Sequence, residues 1–356
     1  MWGGWVPGFE ISLGISHWTL VILPPMREEA ILTSLLKEVS RSFYLTMRVL
    51  PASVRPQIGL AYLLARTADT IADTGIVLVD QRLQALKTLR GRFLGATDPL
   101  DFGELARHQG VPAERVLLER CGEALAILEG LAESDRQLVR KVLAVITSGQ
   151  ELDLRRFADA SAERIVALET EEELDDYTYR VAGCVGEFWT KMCRAHVFPT
   201  ARLDDNFLLE NGVRFGKGLQ LVNILRDIPV DVRHGRCYMP ASTLKAAGLT
   251  PADLLVPKYE PGFRPVYTHF LAQAEEHLKA GWAYTNALPW RCVRVRLACA
   301  WPALIGIKTL GKLRMANVLD PEQRIKISRK EVRKLILRSV VCYPWPPAWR
   351  RLFSAE

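Results

Sequence analysis

Gly216-Lys-Gly-Leu-Gln-Leu-Val-Asn-Ile-Leu-Arg-Asp-Ile-Pro-Val-Asp231 is an apolar, helix-like stretch that polar residues interrupt at regular spacing. Residues three and four apart lie on one face of a helix. The spacing therefore predicts a single polar stripe made of Gln220, Asn223, Asp227 and Asp231. Carboxylate and amide oxygens suit Mg²⁺, a hard cation that shares substrate phosphates, and the adjacent Arg226 could bind a phosphate oxygen. The other interpretation is an ordinary solvated helix face with a capping aspartate.

A second pair of aspartates with the same spacing lies upstream, in Tyr62-Leu-Leu-Ala-Arg-Thr-Ala-Asp-Thr-Ile-Ala-Asp73. Asp69 and Asp73 are four residues apart in an apolar run, and Arg66 precedes Asp69 by about one turn. Two such helix faces can hold one metal-diphosphate cluster between them, as carboxylates do in helical bundles. The repetition favours a metal site, and one site built from both halves of the chain predicts a single large domain.

Three further motifs accompany the aspartate pairs. They are Ser40-Arg-Ser-Phe43 and Tyr177-Thr-Tyr-Arg-Val-Ala-Gly183, and Gly235-Arg-Cys-Tyr-Met-Pro240 follows the second pair. Over roughly residues 30–315 the chain resembles the squalene/phytoene synthases, which are head-to-head prenyl transferases of the all-α isoprenoid synthase fold. The resemblance implies an all-α helical bundle around a central apolar cavity.

The resemblance also implies roles for individual residues. Tyr177 would be the catalytic tyrosine, donating a hydrogen bond to a leaving diphosphate or offering its ring face to a carbocation. The four motif aspartates would be catalytic, and the metal ligands would be Asp69, Asp73, Asn223, Asp227 and Asp231. The substrate-binding set would be Ser40, Arg41, Ser42, Phe43, Tyr62, Arg66, Val181, Ala182, Gly186, Gln220, Asn223, Arg226 and Arg236.

Two local features carry their own expectations. Ala182, Gly183 and Gly186 remove side chains from one helix face although a glycine costs ~1 kcal/mol in a helix interior. Close helix packing and the floor of a prenyl channel both explain this cost, and the resemblance favours the channel.

Pro229 lies inside the second aspartate motif, where it removes a backbone donor. We expect the helix to kink or end there, which makes Asp231 a weaker metal ligand than Asp227.

Composition and charge bound the class of protein. The 356 residues are 49% hydrophobic and 24% charged, as in a globular protein. The net charge is +7, but 15 Lys/Arg and 4 Asp/Glu lie between Arg291 and the last residue. This uneven distribution excludes a uniformly basic nucleic-acid-binding protein. The basic end fits anionic lipid headgroups or a solvated surface equally well.

We divide the chain into three segments. Residues 1–25 are expected to be a poorly ordered extension or a start assigned too early, because their apolar run is short and lacks a charged beginning. Residues 26–318 would form the catalytic all-α domain, since period-two alternation is nearly absent and helical spacing recurs, as in 55–73, 208–231 and 293–313. Residues 319–356 would form a basic tail that contacts a membrane surface.

Seven cysteines without a C-x-x-C pair favour a reducing compartment. We therefore expect a cytoplasmic monomer, peripheral at the inner membrane surface.

The resemblance implies a squalene synthase. It would join two farnesyl diphosphates through presqualene diphosphate with Mg²⁺ and then reduce the product with NADPH. Leu297–Gly306 and Arg324–Lys330 favour this branch, although Ala298 stands where the eukaryotic enzymes have Phe. A non-reducing sister enzyme would instead make presqualene diphosphate, phytoene or dehydrosqualene. A chain-elongating transferase is less favoured because neither motif has adjacent aspartates. A non-catalytic assembly factor is also less favoured, because all four motif aspartates are present.

Overall fold

The computed structural model describes residues 35–39, 43–323 and 325–354. Met1–Pro25, the Ser40–Ser42 motif and Arg324 lie outside these residues, as does the side chain of Phe43, so the expectations for them stay predictions. The chain divides into two units: residues up to Leu154 with Lys191–Pro199, and Arg155–Thr190 with Thr200–Glu356. The predicted boundaries after residues 25 and 318 also stay predictions.

The first unit is a set of helices around one apolar helix. Its elements are α1 Phe43–Val49, α2 Arg55–Asp73, α3 Val79–Phe93, α4 Gly103–His108, α5 Pro112–Glu119, α6 Cys121–Gly130 and α7 Glu133–Arg156, whose last two residues enter the second unit. A proline in the first turn begins α2 without losing a hydrogen bond. Leu60, Leu64 and Ile71 of α2 are fully buried, and so are Leu86 and Leu89 of α3. This burial fixes the helix that carries the first aspartate pair.

The second unit holds the remaining strands and α-helices, a π-helical turn, and the short 3-10 helices Val232–His234, Pro251–Leu255 and Pro257–Tyr259. The strands, α-helices and turn are β1 Val166–Ala167, α8 Glu171–Thr178, the π-helical turn Tyr179–Gly183, α9 Cys184–His196, α10 Asp205–Asp231, β2 Arg236–Cys237, α11 Ala241–Ala246, α12 Glu260–Ala287, α13 Val293–Met315, α14 Arg329–Cys342 and α15 Pro346–Ser354. Helix α10 packs mainly against α12, the π-helical turn and α13. The last residues of α9 belong to the first unit.

The all-α prediction is confirmed in the described part of the chain. The strands β1 and β2 are each two residues long. They pair in parallel, Val166 with Arg236 and Ala167 with Cys237, and form the one sheet among the described residues. Among those residues, no helix combines the length and the apolar composition that crossing a bilayer requires.

Candidate active site

The first aspartate pair lies at the C-terminal end of α2. Asp69 is half-buried, and Gln150 of α7 donates a hydrogen bond from Nε2 to Asp69 Oδ1. Burial raises the pKa of the Asp69 carboxyl to about 7, Asp73 adds to this rise, and Arg66 opposes it. A bound cation would favour the charged form, so this carboxylate fits a metal ligand.

Arg66 lies on the same helix and is 6% exposed. Its Nη2 binds the Glu114 carboxylate of α5, whereas Nε and Nη1 are buried and have no hydrogen-bond partner among the described residues. Burial lowers the pKa of Arg66, but Asp69 and Glu114 outweigh it and the net shift is upward. Arg66 is thus a fixed cation beside Asp69, and its predicted role in phosphate binding, like that of Tyr62, stays a prediction.

The second pair lies on α10, where the predicted polar stripe is confirmed as part of one continuous helix. Gln220 is 2% exposed, and Asn223 and Asp231 are each 7% exposed. The Asp227 side chain retains 32% exposure. The Gln220 amide nitrogen is buried without a hydrogen-bond partner among the described residues. A polar row is therefore held inside an otherwise apolar helix.

The helix does not end at Pro229, because α10 continues to Asp231, and the alternative expectation of a kink there stays a prediction. Proline has no N–H, so the Leu225 carbonyl four residues earlier loses its usual helical donor. The Tyr267 hydroxyl of α12 donates to that carbonyl at 3.1 Å instead. Tyr267 is fully buried, and Arg233 Nη1 binds the Pro229 carbonyl. Side chains thus complete the interrupted ladder, and Asp231 stays on the helix that carries Asp227.

Arg226 pairs with the carboxylate next to it. Its Nε lies 2.8 Å from Asp227 Oδ1, and its Nη2 binds Asp227 Oδ2, a bidentate arrangement. Both charges are partly shielded, with 18% and 32% side-chain exposure. Binding of a phosphate by Arg226 stays a prediction, and in this structure its guanidinium neutralises Asp227.

Tyr177 is 2% exposed and stacks on Tyr238, with ring centroids 4.9 Å apart. Phe157 meets the edge of the Tyr238 ring at 5.3 Å, and the Arg236 guanidinium lies 5.9 Å from the centre of the Phe157 ring. The pairing of β2 with β1 holds Arg236 in place. The structure therefore joins Tyr177 and Arg236 through two aromatic rings, and the catalytic role of Tyr177 stays a prediction.

The small residues near Tyr177 serve close helix packing. A Cβ on Gly186 would lie 1.8 Å from the Gly212 carbonyl oxygen, and one on Gly216 would lie 2.2 Å from that of Ala182. Gly186 therefore makes room for the backbone of α10, which agrees with close helix packing, and its expected place on the floor of a prenyl channel stays a prediction. Val181 and Ala182 are partly exposed, and their substrate contacts stay predictions.

The oxygen donors of each motif, taken separately, fit a magnesium ion that also binds substrate phosphate. Each motif supplies two carboxylates, and Asn223 adds an amide oxygen. Within the described residues, no three His, Cys, Asp or Glu side chains are grouped as a metal site. Mg²⁺ commonly takes one or two carboxylates and fills its remaining positions with water and phosphate oxygens.

Sequence reasoning missed several residues that support these groups. Gln150 and Glu114 contact the first motif, Tyr238 stacks on Tyr177, and Tyr267 binds the Leu225 carbonyl of α10. Gln150 and Glu151 are buried polar residues of α7, and only the structure shows this burial. The partner of Leu225 had no local signal, since Tyr267 lies 42 residues away in sequence.

The helical fold is that of the isoprenoid synthases, as the solved neighbours show. The family model described as squalene/phytoene synthase matches residues 36–331, and the chain belongs to that family. The complex of TcSQS with the ligand E5700 has a TM-score of 0.73 at 20% identity and covers 92% of this chain and 99% of its own. That likeness shows the fold alone.

Two curated relatives illustrate the range of the family. The presqualene diphosphate synthase of Zymomonas mobilis is 31% identical over 301 residues, which are 84% of this chain and 89% of that protein. The bifunctional lycopene cyclase/phytoene synthase of Colletotrichum graminicola is 32% identical over 243 residues, which are 68% of this chain. The chain spans only 39% of the Colletotrichum protein.

Proposed function

We propose that this protein joins two farnesyl diphosphates head to head and forms presqualene diphosphate. The observation that carries the proposal is the pair of i, i+4 aspartate motifs on α2 and α10, each beside a buried carboxamide, in a chain of the squalene/phytoene synthase family. Such oxygen-rich faces in apolar helices suit a metal-bound diphosphate. That the two pairs act on one diphosphate cluster belongs to the proposal.

The reaction breaks the C–O bond of one substrate, and the electron pair leaves with the diphosphate. The allylic cation that remains accepts electrons from the double bond of the second substrate, and a proton is lost. Mg²⁺, when bound, would neutralise charge on the leaving diphosphate. Asp69, Asp73, Asn223, Asp227 and Asp231 would hold it.

The protein's own groups act on charge and orientation. Arg66 is a buried cation whose position Glu114 fixes, and it would stabilise negative charge on the diphosphate. The Tyr177 ring, held by its stacking on Tyr238, would face the cation or donate its hydroxyl to the leaving group. Apolar surroundings would exclude water from the cation.

Reduction to squalene by NADPH is the ending that the sequence favours, through Leu297–Gly306. Release of presqualene diphosphate is the second candidate, and the Zymomonas relative favours it because the match covers 89% of that protein. Both endings share the first condensation. Trp301, the nearest aromatic to Ala298, donates from Nε1 to Ser339 Oγ at 3.0 Å, so its indole is engaged with α14.

Incubation of the purified protein with farnesyl diphosphate and Mg²⁺, with and without NADPH, tests both candidates. Mass spectrometry should find presqualene diphosphate without NADPH, and EDTA should abolish it. Squalene on addition of NADPH supports the reducing ending, whereas presqualene diphosphate at saturating NADPH supports the second candidate. Absence of any condensed product, with the diphosphate substrate recovered intact, overturns the proposal.

A further inference from the structure

The two C-terminal helices are fixed to the second unit by one aromatic cluster. Trp349 of α15 is fully buried and stacks on Trp282 of α12 at 5.3 Å. The buried Arg296 guanidinium lies 4.6 Å from the centre of the Trp290 ring and donates to the Leu288 carbonyl at 2.6 Å. Ser339 of α14 is fully buried as well. The outward side of α14 is therefore held in a defined position.

That outward side carries an apolar strip. Val332, Leu335 and Ser339 face inward, with exposures of 2%, 7% and 0%. Three large apolar residues on the other side of α14, and Trp345 in the turn after it, are exposed by 47% to 65%, and we name these four the α14 apolar strip: Leu337, Val340, Val341 and Trp345. Residues 337, 340 and 341 have the i, i+3, i+4 spacing of one helix face.

Basic residues border the strip. Arg333 and Lys334 are exposed and precede Leu337 by four and three residues, so they lie beside it on the helix surface. Residues 329–354 contain seven Lys/Arg and one acidic residue, Glu331. Glu331 binds Lys312 at 2.9 Å, which leaves the helix surface positive.

We propose that the α14 apolar strip and its basic border dock on the surface of a bilayer that contains anionic lipid. Exposed Leu, Val and Trp side chains can enter the headgroup boundary, and adjacent Arg and Lys can bind lipid phosphates. Charge complementarity selects this occupant over a second copy of the chain, whose α14 would present the same positive surface. The inference holds for either ending of the proposed reaction.

Vesicle flotation of the full chain tests the proposal. Phosphatidylcholine vesicles with and without phosphatidylglycerol serve as probes at low and high salt. Two double variants remove the charge or the apolar part: Arg333→Gln with Lys334→Gln, and Leu337→Ser with Val341→Ser. The matched controls change exposed residues elsewhere: Lys87→Gln with Lys245→Gln, and Ile76→Ser with Leu78→Ser.

The wild type should float with phosphatidylglycerol vesicles and lose this binding at high salt. Removing the two charges should lower binding about 25-fold, at about fivefold per cation, and removing the apolar pair about tenfold or more. Both controls should bind as the wild type does. Because all four target residues are exposed, the variants should melt with the wild type.

Several results would overturn the proposal. They are absence of flotation by the wild type, equal binding to vesicles without phosphatidylglycerol, or equal losses in the control variants. Concentration-dependent dimerisation that Leu337→Ser with Val341→Ser abolishes would assign the strip to a second copy instead. Condensation of farnesyl diphosphate in detergent-free solution is measured separately, so a failure here leaves the proposed function unaffected.

Discussion

The hydroxyl of Tyr267 replaces the backbone donor that Pro229 removes from α10, and its deletion should destabilise the second unit. The bond to the Leu225 carbonyl spans 3.1 Å, and Tyr267 is fully buried. Tyr267→Phe keeps the ring but leaves this carbonyl without a donor. A buried polar group that loses its partner costs about 1–3 kcal/mol, and we expect a loss in this range in the free energy of unfolding.

A double-mutant cycle isolates the bond. Pro229→Ala restores an N–H that can reach the Leu225 carbonyl, so Tyr267→Phe should cost less than about 0.5 kcal/mol in that background. The coupling energy should therefore be about 0.5–3 kcal/mol. Urea unfolding followed by circular dichroism supplies the four free energies.

Tyr284→Phe is the matched control. Tyr284 is also buried, and its hydroxyl accepts a hydrogen bond from Thr190 Oγ1 at 3.2 Å. Its effect should add to that of Pro229→Ala without coupling. Equal costs of Tyr267→Phe in the two backgrounds would refute the idea that the hydroxyl serves the carbonyl that proline frees.

Three further predictions follow from the site and its packing. Replacing any motif aspartate by asparagine, Asp231 included, should lower kcat for condensation at least about 100-fold. Diphosphate release measures this rate. A mild effect at Asp231 would show that its place on α10 does not matter. Gly186→Ala should lower the free energy of unfolding by about 3 kcal/mol or more, because the new Cβ would lie 1.8 Å from a carbonyl oxygen. Gly122 has open space around its Cβ position, so Gly122→Ala should raise the free energy of unfolding by about 0.5–1 kcal/mol. Burial and then the nearby cations lower the pKa of His277 from 6.5 to about 4. Between these two pH values the unfolded chain binds a proton that the folded chain does not, so the free energy of unfolding should fall as the pH drops from 6.5 to about 4. Over the same pH range, the urea midpoint of His277→Asn should fall less than that of the wild type.

The helical class and the main site helices could be predicted because local spacing determines them. The predicted helix over residues 55–73 matches α2, and the one predicted over 208–231 ends with α10 but begins three residues late, since Asp204 caps the helix through the Phe207 N–H. The polar stripe of α10 followed from its spacing alone.

The partners of these side chains could not be predicted, because they come from distant parts of the chain. Gln150 meets Asp69 across 81 residues, and Tyr267 meets Leu225 across 42. The continuation of α10 past Pro229 depends on such a distant partner. Local chemistry shows the missing donor, but only tertiary packing shows what replaces it.

The two ends of α10 are held by different means, and this bears on how the polar stripe stays ordered. Toward its N-terminal half, Gly212 and Gly216 allow the backbones of Gly186 and Ala182 to approach, so neighbouring helices lock against α10 without side chains between them. Toward its C-terminal end, the Tyr267 hydroxyl closes the gap that Pro229 opens. The buried amides and carboxylate of the stripe lie between and beside these contacts, where burial of polar groups opposes folding. Close packing at one end and the substituted hydrogen bond at the other offset that cost, so the stripe can remain polar and fixed on one helix.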